Sequence, residues 1–319
     1  MTSFGRLLIG PVLVLASGCA VSSSTSPEAT DTFRIIGYVT DTGPLASEDQ
    51  LRQLTHVNYA FALPKADGTL YEIANPWKLE QYVEIAHANG IKVLISVGGW
   101  GWDQQFEELA ASPQTRTAFV EAVTGVVEEF ELDGADIDWE YPDPGASSAA
   151  FTSLMQELRV ALPAGTLLTA AVAALGPNAD GVGEDVFGTV DFLNLMAYDG
   201  GGGQHSPMWY AQGALQYWQE RGLGADQSVL GVPFYSRPSE TPYRDLVEAD
   251  PAAADVDEID FHGTLVNYNG RETIGRKTEL AMEQASGIMI WTVVDDTTDD
   301  TSLLDAIHVA LEGAAQGNE

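Results

Sequence analysis

The chain is short of cysteine, of long apolar stretches and of histidine clusters. Cys19 is the only cysteine among 319 residues, so no internal disulfide bond can form. An apolar stretch at residues 7–16 is too short to span a bilayer, which takes about 20 residues of helix. Because the five histidines are scattered and lack the spacing of a metal site, we expect neither a metal nor a cofactor.

Positive charge is also scarce. The chain has 47 acidic residues against 14 basic ones, a formal net charge of −33 at pH 7. Such a surface repels nucleic acid and anionic membranes, so neither is expected as a partner. The excess could favour a cationic substrate, but we prefer solubility in a salty medium, where ions screen the self-repulsion. We expect a monomer.

The N-terminus has the features of an export signal. Arg6 gives a short positive region, residues 7–16 an apolar one, and an Ala-Ser-Gly-Cys motif ends at Cys19. We therefore predict a signal peptide over residues 1–18 and a lipid attached to Cys19. The motif has alanine at its first position, where leucine is usual, so ordinary secretion without a lipid is the alternative.

A Ser- and Thr-rich stretch over residues 19–32 follows, too polar to bury a core, and is interpreted as a tether. Both alternatives predict export from the cytoplasm. In the first, the protein is held at the cell surface, and the lipid at Cys19 is its one contact with the membrane.

Short apolar runs alternate with helical patterns along the rest of the chain. Ser112 as a cap, Pro113 in the first turn and an apolar stripe predict a helix over residues 112–130. Runs of four to eight apolar residues are typical of parallel strands buried on both faces. The pattern predicts an α/β fold, a single (β/α)8 TIM barrel over residues 33–314. The predicted strands are residues 34–39, 56–62, 91–97, 134–139, 167–173, 190–197, 229–235 and 287–294.

One predicted strand carries three acids at alternate positions. Asp136, Asp138 and Glu140 would share one face, roughly 6–7 Å apart, with apolar residues between them. Acids in a row repel one another and lose solvation, so we expect at least one to keep its proton near neutral pH, as a general acid must. An acidic edge strand facing water is the alternative, but the apolar residues between the acids favour an active site. Active sites of TIM barrels lie at the carboxyl ends of the strands, where the sequence places Glu140, Tyr198, Asp199, Tyr235 and Trp291.

The pattern Asp133-x-x-Asp136-x-Asp138-x-Glu140 resembles the signature of glycoside hydrolase family 18, the chitinases and their relatives. Five further stretches resemble other strand motifs of that family, in family order, so that the resemblance extends over about residues 33–311. They are NYAFA at residues 58–62, KVLISVGGW at 92–100, LMAYD at 195–199, GVPFYSR at 231–237 and GIMIW at 287–291.

The resemblance implies retaining hydrolysis of β-1,4 bonds between N-acetylglucosamine units of chitin or its oligomers. In this family the 2-acetamido oxygen of the substrate attacks the anomeric carbon, and Glu140 would act first as acid, then as base. Asp138 would bind the acetamido N–H and stabilise the oxazolinium intermediate, while Asp136 would share a proton with Asp138. Tyr198 would orient the acetamido oxygen, and Asp133 would support the start of the strand.

Aromatic and polar residues complete the predicted site, since sugars present C–H faces that pack on aromatic rings. The resemblance places Trp291 beneath the sugar at the cleaved bond and Trp100 on the reducing-end side. Asp199 and Arg237 would bind sugar hydroxyls, pair with each other, or both. Further candidates are Tyr38, Phe61, Tyr141, Met196, Tyr235 and Gly99, with Trp102, Trp209 and His205 after them; core packing, or for Gly99 close passage of the chain, is the alternative.

Residues 238–286 lie between the last two predicted strands and are too few for the α+β domain that many chitinases carry there. Two other functions stay open. An endo-β-N-acetylglucosaminidase acting on N-glycan cores shares the fold and the acids. An inactive chitinase-like sugar-binding protein shares the fold, but such proteins typically lack the acid found here at Glu140.

Overall fold

A computed structural model describes residues 1–2 and 33–317, so Cys19, the tether and nearly all of the predicted signal peptide lie outside the described residues. Eight parallel strands close into a barrel, which confirms the predicted TIM fold. Each strand pairs with the next along the chain, and the last pairs with the first. The barrel strands are β1 Arg34–Thr40, β2 His56–Ala62, β3 Lys92–Gly98, β4 Gly134–Asp138, β5 Leu167–Ala173, β6 Phe192–Met196, β7 Ser228–Pro233 and, after a hairpin, β10 Gly287–Trp291.

Helices cover the outside of the barrel. Helix α4 begins where the sequence predicts it, and the Ser112 hydroxyl accepts a hydrogen bond from the Thr115 amide at 3.3 Å. None of the helices in the described part of the chain is long and apolar enough to cross a membrane. The helices are α1 Glu48–Leu51, α2 Pro76–Ala88, α3 Asp103–Ala110, α4 Pro113–Glu129, α5 Ala146–Ala161, α6 Met208–Glu220, α7 Tyr243–Ala249, α8 Arg271–Gln284 and α9 Leu303–Gly317.

Alternation along β4 decides what faces the core and what faces the barrel interior. Ala135 and Ile137 point outward into the layer between strands and helices. Trp139 follows them, stacked on Phe106 at 5.2 Å. Its indole N–H donates to Asp103 at 2.7 Å, so this bulky residue is both packed and satisfied. Asp136 and Asp138 alternate with these residues along the strand, so their side chains point into the barrel.

Strand β4 ends two residues earlier than the row of acids does. Asp136 and Asp138 belong to the strand, whereas Glu140 lies in the loop beyond it, past the predicted strand end at residue 139. The pairing with β3 stops at Asp138. Glu140 therefore takes no part in the strand pairing and lies at the open end of the barrel.

Between β7 and α8 the chain adds one helix, α7, and one antiparallel hairpin, β8 Glu258–Phe261 with β9 Thr264–Asn267. This hairpin was not predicted from the sequence. Its turn residues, His262 at φ 55° and Gly263 at φ 83°, are both left-handed, as a two-residue hairpin turn requires. The hairpin joins the barrel end through pairing of Asn267 with Arg237.

Candidate active site

Asp136 lies at the centre of the barrel and is fully buried. Its carboxylate accepts hydrogen bonds from Tyr38 Oη at 2.7 Å, Ser96 Oγ at 2.8 Å and Thr169 Oγ1 at 2.6 Å. Asn194 Nδ2 donates a fourth, at 3.2 Å. Burial raises the pKa of Asp136, while these four hydrogen bonds act in the opposite direction. The carboxyl group is thus held by neutral donors from four different strands.

Asp138 is the next acid outward and is also buried, with 3% of its surface exposed. Burial, and then the neighbouring charges of Glu140 and Asp136, raise its pKa well above the ordinary value. Within the described residues its Oδ1 atom has no hydrogen-bond partner. A buried polar atom without a partner costs free energy, so this oxygen is available for a donor that the protein itself does not supply.

Glu140 completes the row and lines the cleft, half-buried. Burial raises its pKa, a hydrogen bond from Tyr141 opposes the shift, and the charge of Asp199 adds to it. A carboxyl group with a raised pKa at the mouth of a cleft is able to give a proton to a bound molecule and take one back. Asp138 and Glu140, both with raised pKa values, form a strongly interacting pair.

A second cluster surrounds Asp199, just past the end of β6. Arg237 donates to both of its oxygens, from Nε at 2.7 Å and from Nη2 at 2.5 Å, and His205 Nδ1 lies 3.1 Å away. Burial alone would raise the pKa of Asp199, but the bonds from Arg237 and His205 outweigh it and hold the pKa below its usual range. The Arg–Asp pair expected from the sequence is present.

His205 is 2% exposed and stands behind Asp199, against the Tyr235 ring at 4.7 Å. The sequence suggested that it could reach a substrate; that suggestion is wrong, because the Gly-rich loop folds the imidazole inward. His205 supports Asp199 instead.

Aromatic rings form the floor and rim of the cleft. Trp291, at the end of β10, stacks on Phe61 with ring centres 5.5 Å apart and an interplanar angle of 27°. Tyr38 lies 5.5 Å from the same indole on another side. Trp100 stands at the rim, 78% exposed and 6.5 Å from Tyr141. An indole this exposed contributes little to the core, so Trp100 is available to a ligand.

Most of the residues suggested by the sequence line a single cleft of about 870 Å³ at the carboxyl ends of the strands. Asp136 lies beneath it. Gly99 is not among the lining residues; a Cβ there would come within 2.8 Å of the Phe61 ring, so this glycine permits close passage of the chain. The lining residues include Tyr38, Phe61, Trp100, Asp138, Glu140, Tyr141, Met196, Tyr198, Asp199, Tyr235, Arg237 and Trp291.

Two weaker candidates lie elsewhere. Trp102 packs against Tyr71 at 6.0 Å and Trp209 against Tyr210 at 5.7 Å, and neither tryptophan lines the cleft. Asp133 sits at the start of β4, where its carboxylate accepts the Val93 amide at 2.8 Å.

Further residues line the cleft that were not predicted from the sequence. Their common signal is position, since many follow directly after the carboxyl end of a barrel strand. They are Thr40, Gly43, Pro44, Ala171, Ala173, Ala174, Leu175, Asn178, Tyr210, Glu240, Arg244, Thr292, Val294 and Asp295. Within residues 33–317, no group of three or more His, Cys, Asp or Glu side chains is placed to hold a metal ion.

Known proteins are similar to this chain in sequence and in architecture. The pattern described as Glycosyl hydrolases family 18 matches residues 34–296. A chitinase-like effector from Moniliophthora roreri is 31% identical over 232 residues, which are 62% of this chain and 56% of that protein. The match covers only part of the length of the first curated relatives, 56% of one and 36% of the next.

Two crystal structures match over nearly their whole length. A chitinase from the chitin utilization locus of Flavobacterium johnsoniae is 28% identical with a TM-score of 0.74, covering 88% of this chain and 94% of that one. A chitinase from Bacteroides thetaiotaomicron is 27% identical with a TM-score of 0.77, covering 88% and 96%. The chain therefore belongs to glycosyl hydrolase family 18, the family that its strand motifs predict.

Proposed function

We propose that the protein hydrolyses β-1,4 bonds between N-acetylglucosamine units of chitin or chitooligosaccharides with retention of configuration. The observation that carries the proposal is the row of Asp136, Asp138 and Glu140 opening into a cleft floored by Trp291. Solved relatives matched over 94% and 96% of their length are chitinases. The catalytic domain is residues 33–314.

Glu140 is the general acid and then the base. Its raised pKa favours the protonated carboxyl group, the form that gives a proton to the leaving oxygen. The 2-acetamido oxygen of the substrate attacks the anomeric carbon and forms a cyclic oxazolinium. Deprotonated by the first step, Glu140 then removes a proton from the water that opens this ring. No carboxylate of the protein needs to bond covalently to the sugar.

Asp138 binds the acetamido group. Its unpartnered Oδ1 accepts the acetamido N–H and stabilises the positive charge of the oxazolinium. Asp136 cannot turn toward the cleft, because four donors hold it, and it shares a proton with Asp138 from below. Protonation of one member leaves the other negative, as the intermediate requires.

Tyr198 orients the acetamido oxygen. Its hydroxyl is directed at the Met289 sulfur, 3.9 Å away, and a thioether is a weak acceptor. The O–H group can therefore turn to a better acceptor on a bound sugar. Trp291 packs under the sugar at the cleaved bond, and Trp100 contacts the reducing-end side.

Product analysis with two substrates tests the reaction. We expect N-acetylglucosamine hexamer to be cut to shorter oligomers, and a high-mannose glycopeptide to stay intact. Cleavage of the glycopeptide alone would make the protein an endo-β-N-acetylglucosaminidase. Because one relative is named a chitinase-like effector, turnover must be measured as well as binding. Binding of the hexamer without any product would favour an inactive sugar-binding protein.

Acetylation of the substrate tests the mechanism. A 2-amino group cannot supply the attacking oxygen, so fully deacetylated chitosan should resist cleavage. Partly acetylated chitosan should be cut only after N-acetylated units, which sequencing of the products would show. Rapid hydrolysis of fully deacetylated oligomers would overturn the substrate-assisted route.

We further propose that the protein is an exported monomer tethered at the cell surface through a lipid on Cys19, by way of residues 19–32. The support is the Ala-Ser-Gly-Cys motif in the sequence. A Cys19→Ser variant should lose incorporation of labelled fatty acid and partition into the aqueous phase of a detergent extraction, with unchanged kcat. Soluble parent protein that begins after Cys19 would instead show ordinary secretion.

A further inference from the structure

Only four residues of the chain are lysine, and one of them, Lys277 on α8, is completely buried. Its ammonium group lies 2.6 Å from the Ser206 carbonyl oxygen, 2.6 Å from Ser206 Oγ and 2.6 Å from Asn269 Oδ1. An ammonium group has three N–H donors, and here three uncharged acceptors meet them. Burying a charge is costly unless such contacts compensate it, so these contacts keep the group in place.

Ser206 connects Lys277 with the active site through a second hydrogen bond. Its Oγ donates to the Ala197 carbonyl oxygen at 2.5 Å, directly before Tyr198 in the chain. Asn269 strengthens the arrangement, because its Nδ2 donates to the Ser206 carbonyl oxygen at 3.0 Å. A continuous set of hydrogen bonds thus connects helix α8 with the end of β6.

The segment between Ala197 and Ser206 is exposed at its tip, residues 202–204, although Gly201 and His205 are buried. It contains four consecutive glycines, 200–203, and closes by pairing of Gly200 with His205. Asp199 and His205 have φ values of 56° and 61°, a left-handed conformation that non-glycine residues adopt at a cost. A glycine-rich segment of this kind can adopt many backbone conformations. Contacts with other parts of the fold must therefore select the conformation that presents Asp199 to the cleft.

We propose that Lys277 is a positioning residue, which acts through Ser206 and the Ala197 carbonyl to fix Tyr198 and Asp199 in the cleft. The kinetic consequence rests on the proposed hydrolase function; the structural consequence does not. Lys277 itself does not line the cleft and touches no substrate.

The test replaces Lys277 by methionine, which keeps the length and apolar stem but removes all three donors. Hydrogen exchange of peptides covering residues 197–206 should become at least about tenfold faster. With N-acetylglucosamine hexamer, kcat should fall by about 10- to 100-fold, as expected for a misplaced catalytic group, and KM should change much less. A Lys277→Gln variant restores two N–H donors and should recover part of both losses.

Thr278→Val is the matched control. Thr278 is the buried neighbour on the same helix, and its hydroxyl donates to the Ile274 carbonyl, away from the cleft. This variant should lower the melting temperature without changing exchange at residues 197–206 or kcat. Equal losses in Lys277→Met and Thr278→Val would reduce the role of Lys277 to general stability and overturn the proposal.

The energetic coupling between Lys277 and Ser206 gives a second test of the proposal. Ser206→Ala interrupts the same path, so the double variant with Lys277→Met should be about as slow as the slower single variant. Effects that multiply would overturn the proposal, as would parent-like exchange at residues 197–206 in Lys277→Met. If Lys277→Met does not fold, Lys277→Gln and Ser206→Ala give the same comparison. Faster exchange in a protein that never cleaves the hexamer would support the positioning role and reject the hydrolase function.

Discussion

Asp136 lies at the centre of the barrel and Asp199 just past the end of β6, and their surroundings move their pKa values in opposite directions. Asp136 is fully buried among four neutral donors, and its pKa is raised. Asp199 keeps 39% of its side chain exposed and bonds to the Arg237 guanidinium, and its pKa is lowered. Neutral hydrogen bonds only moderate the cost of burial, whereas a cation reverses it.

The difference divides the cleft into two chemical halves. None of the ion pairs found within residues 33–317 involves Asp136, Asp138 or Glu140. The chain has few basic residues, and Arg237 forms its ion pair with Asp199. The Asp199 carboxylate stays ionised and can therefore only accept hydrogen bonds. The pKa values of Asp136, Asp138 and Glu140 are raised instead, so this row is the half of the cleft suited to acid–base chemistry.

The largest effect should follow from removing the proton donor of the row. Glu140→Gln keeps the shape but cannot transfer a proton, so kcat on the hexamer should fall by about 10²- to 10⁴-fold or more. Binding of the hexamer, followed by tryptophan fluorescence, should persist. A variant that keeps a tenth of the parent activity would falsify the assignment of Glu140.

A smaller but still severe loss is expected for Asp138→Asn, of about 10²-fold in kcat. The amide cannot provide the negative charge that stabilises the oxazolinium. The loss should appear equally with a substrate that carries an activated leaving group, because that group relieves the need for an acid but not for Asp138. Full rescue by such a substrate would instead give Asp138 a role in proton donation.

Removing the cation from the other half tests the comparison directly. In Arg237→Met, the pKa of Asp199 should rise, because burial is then opposed mainly by His205. We expect kcat/KM to fall by about tenfold, from loss of a charged hydrogen-bond donor in the site. The lowered pKa of Asp199 stabilises the parent above the ordinary pKa of an aspartate, and this contribution is lost as pH falls. Denaturant unfolding should therefore show parent and variant converging between about pH 5 and pH 2; a constant gap would contradict the assigned role of the pair.

The smallest effect concerns Asp136 and has the opposite sign. The raised pKa means that folded Asp136 binds its proton more tightly than Asp136 in the unfolded chain does. The contribution of Asp136 to the free energy of unfolding is therefore full at low pH and declines as the pH rises above about 4. Asp136→Asn cannot ionise and removes this decline. The free energy of unfolding of the parent, relative to the variant, should thus be highest at about pH 3 and decrease toward pH 6. An increase would show that Asp136 is stabilised as a carboxylate.

The barrel and the acid row could be predicted from sequence because both depend on local geometry. Apolar runs of strand length and helical stripes mark the alternating elements, and a strand turns every second side chain to the same face whatever surrounds it. Hence Asp136 and Asp138 face inward as expected. The hairpin β8–β9 was missed, although its left-handed turn at His262 and Gly263 is a recognisable signal.

Only the closed barrel decided what surrounds each acid. The donors to Asp136 come from positions 33 to 98 residues away in the chain. Closure likewise turned His205 inward and carried Lys277 beneath the loop that presents Asp199. The amino-acid sequence by itself determined the order of the strands and the direction of their side chains, because these follow from backbone geometry. Burial and the charge of the neighbours are properties of the assembled fold, so the pKa of each carboxyl group was decided by the tertiary structure.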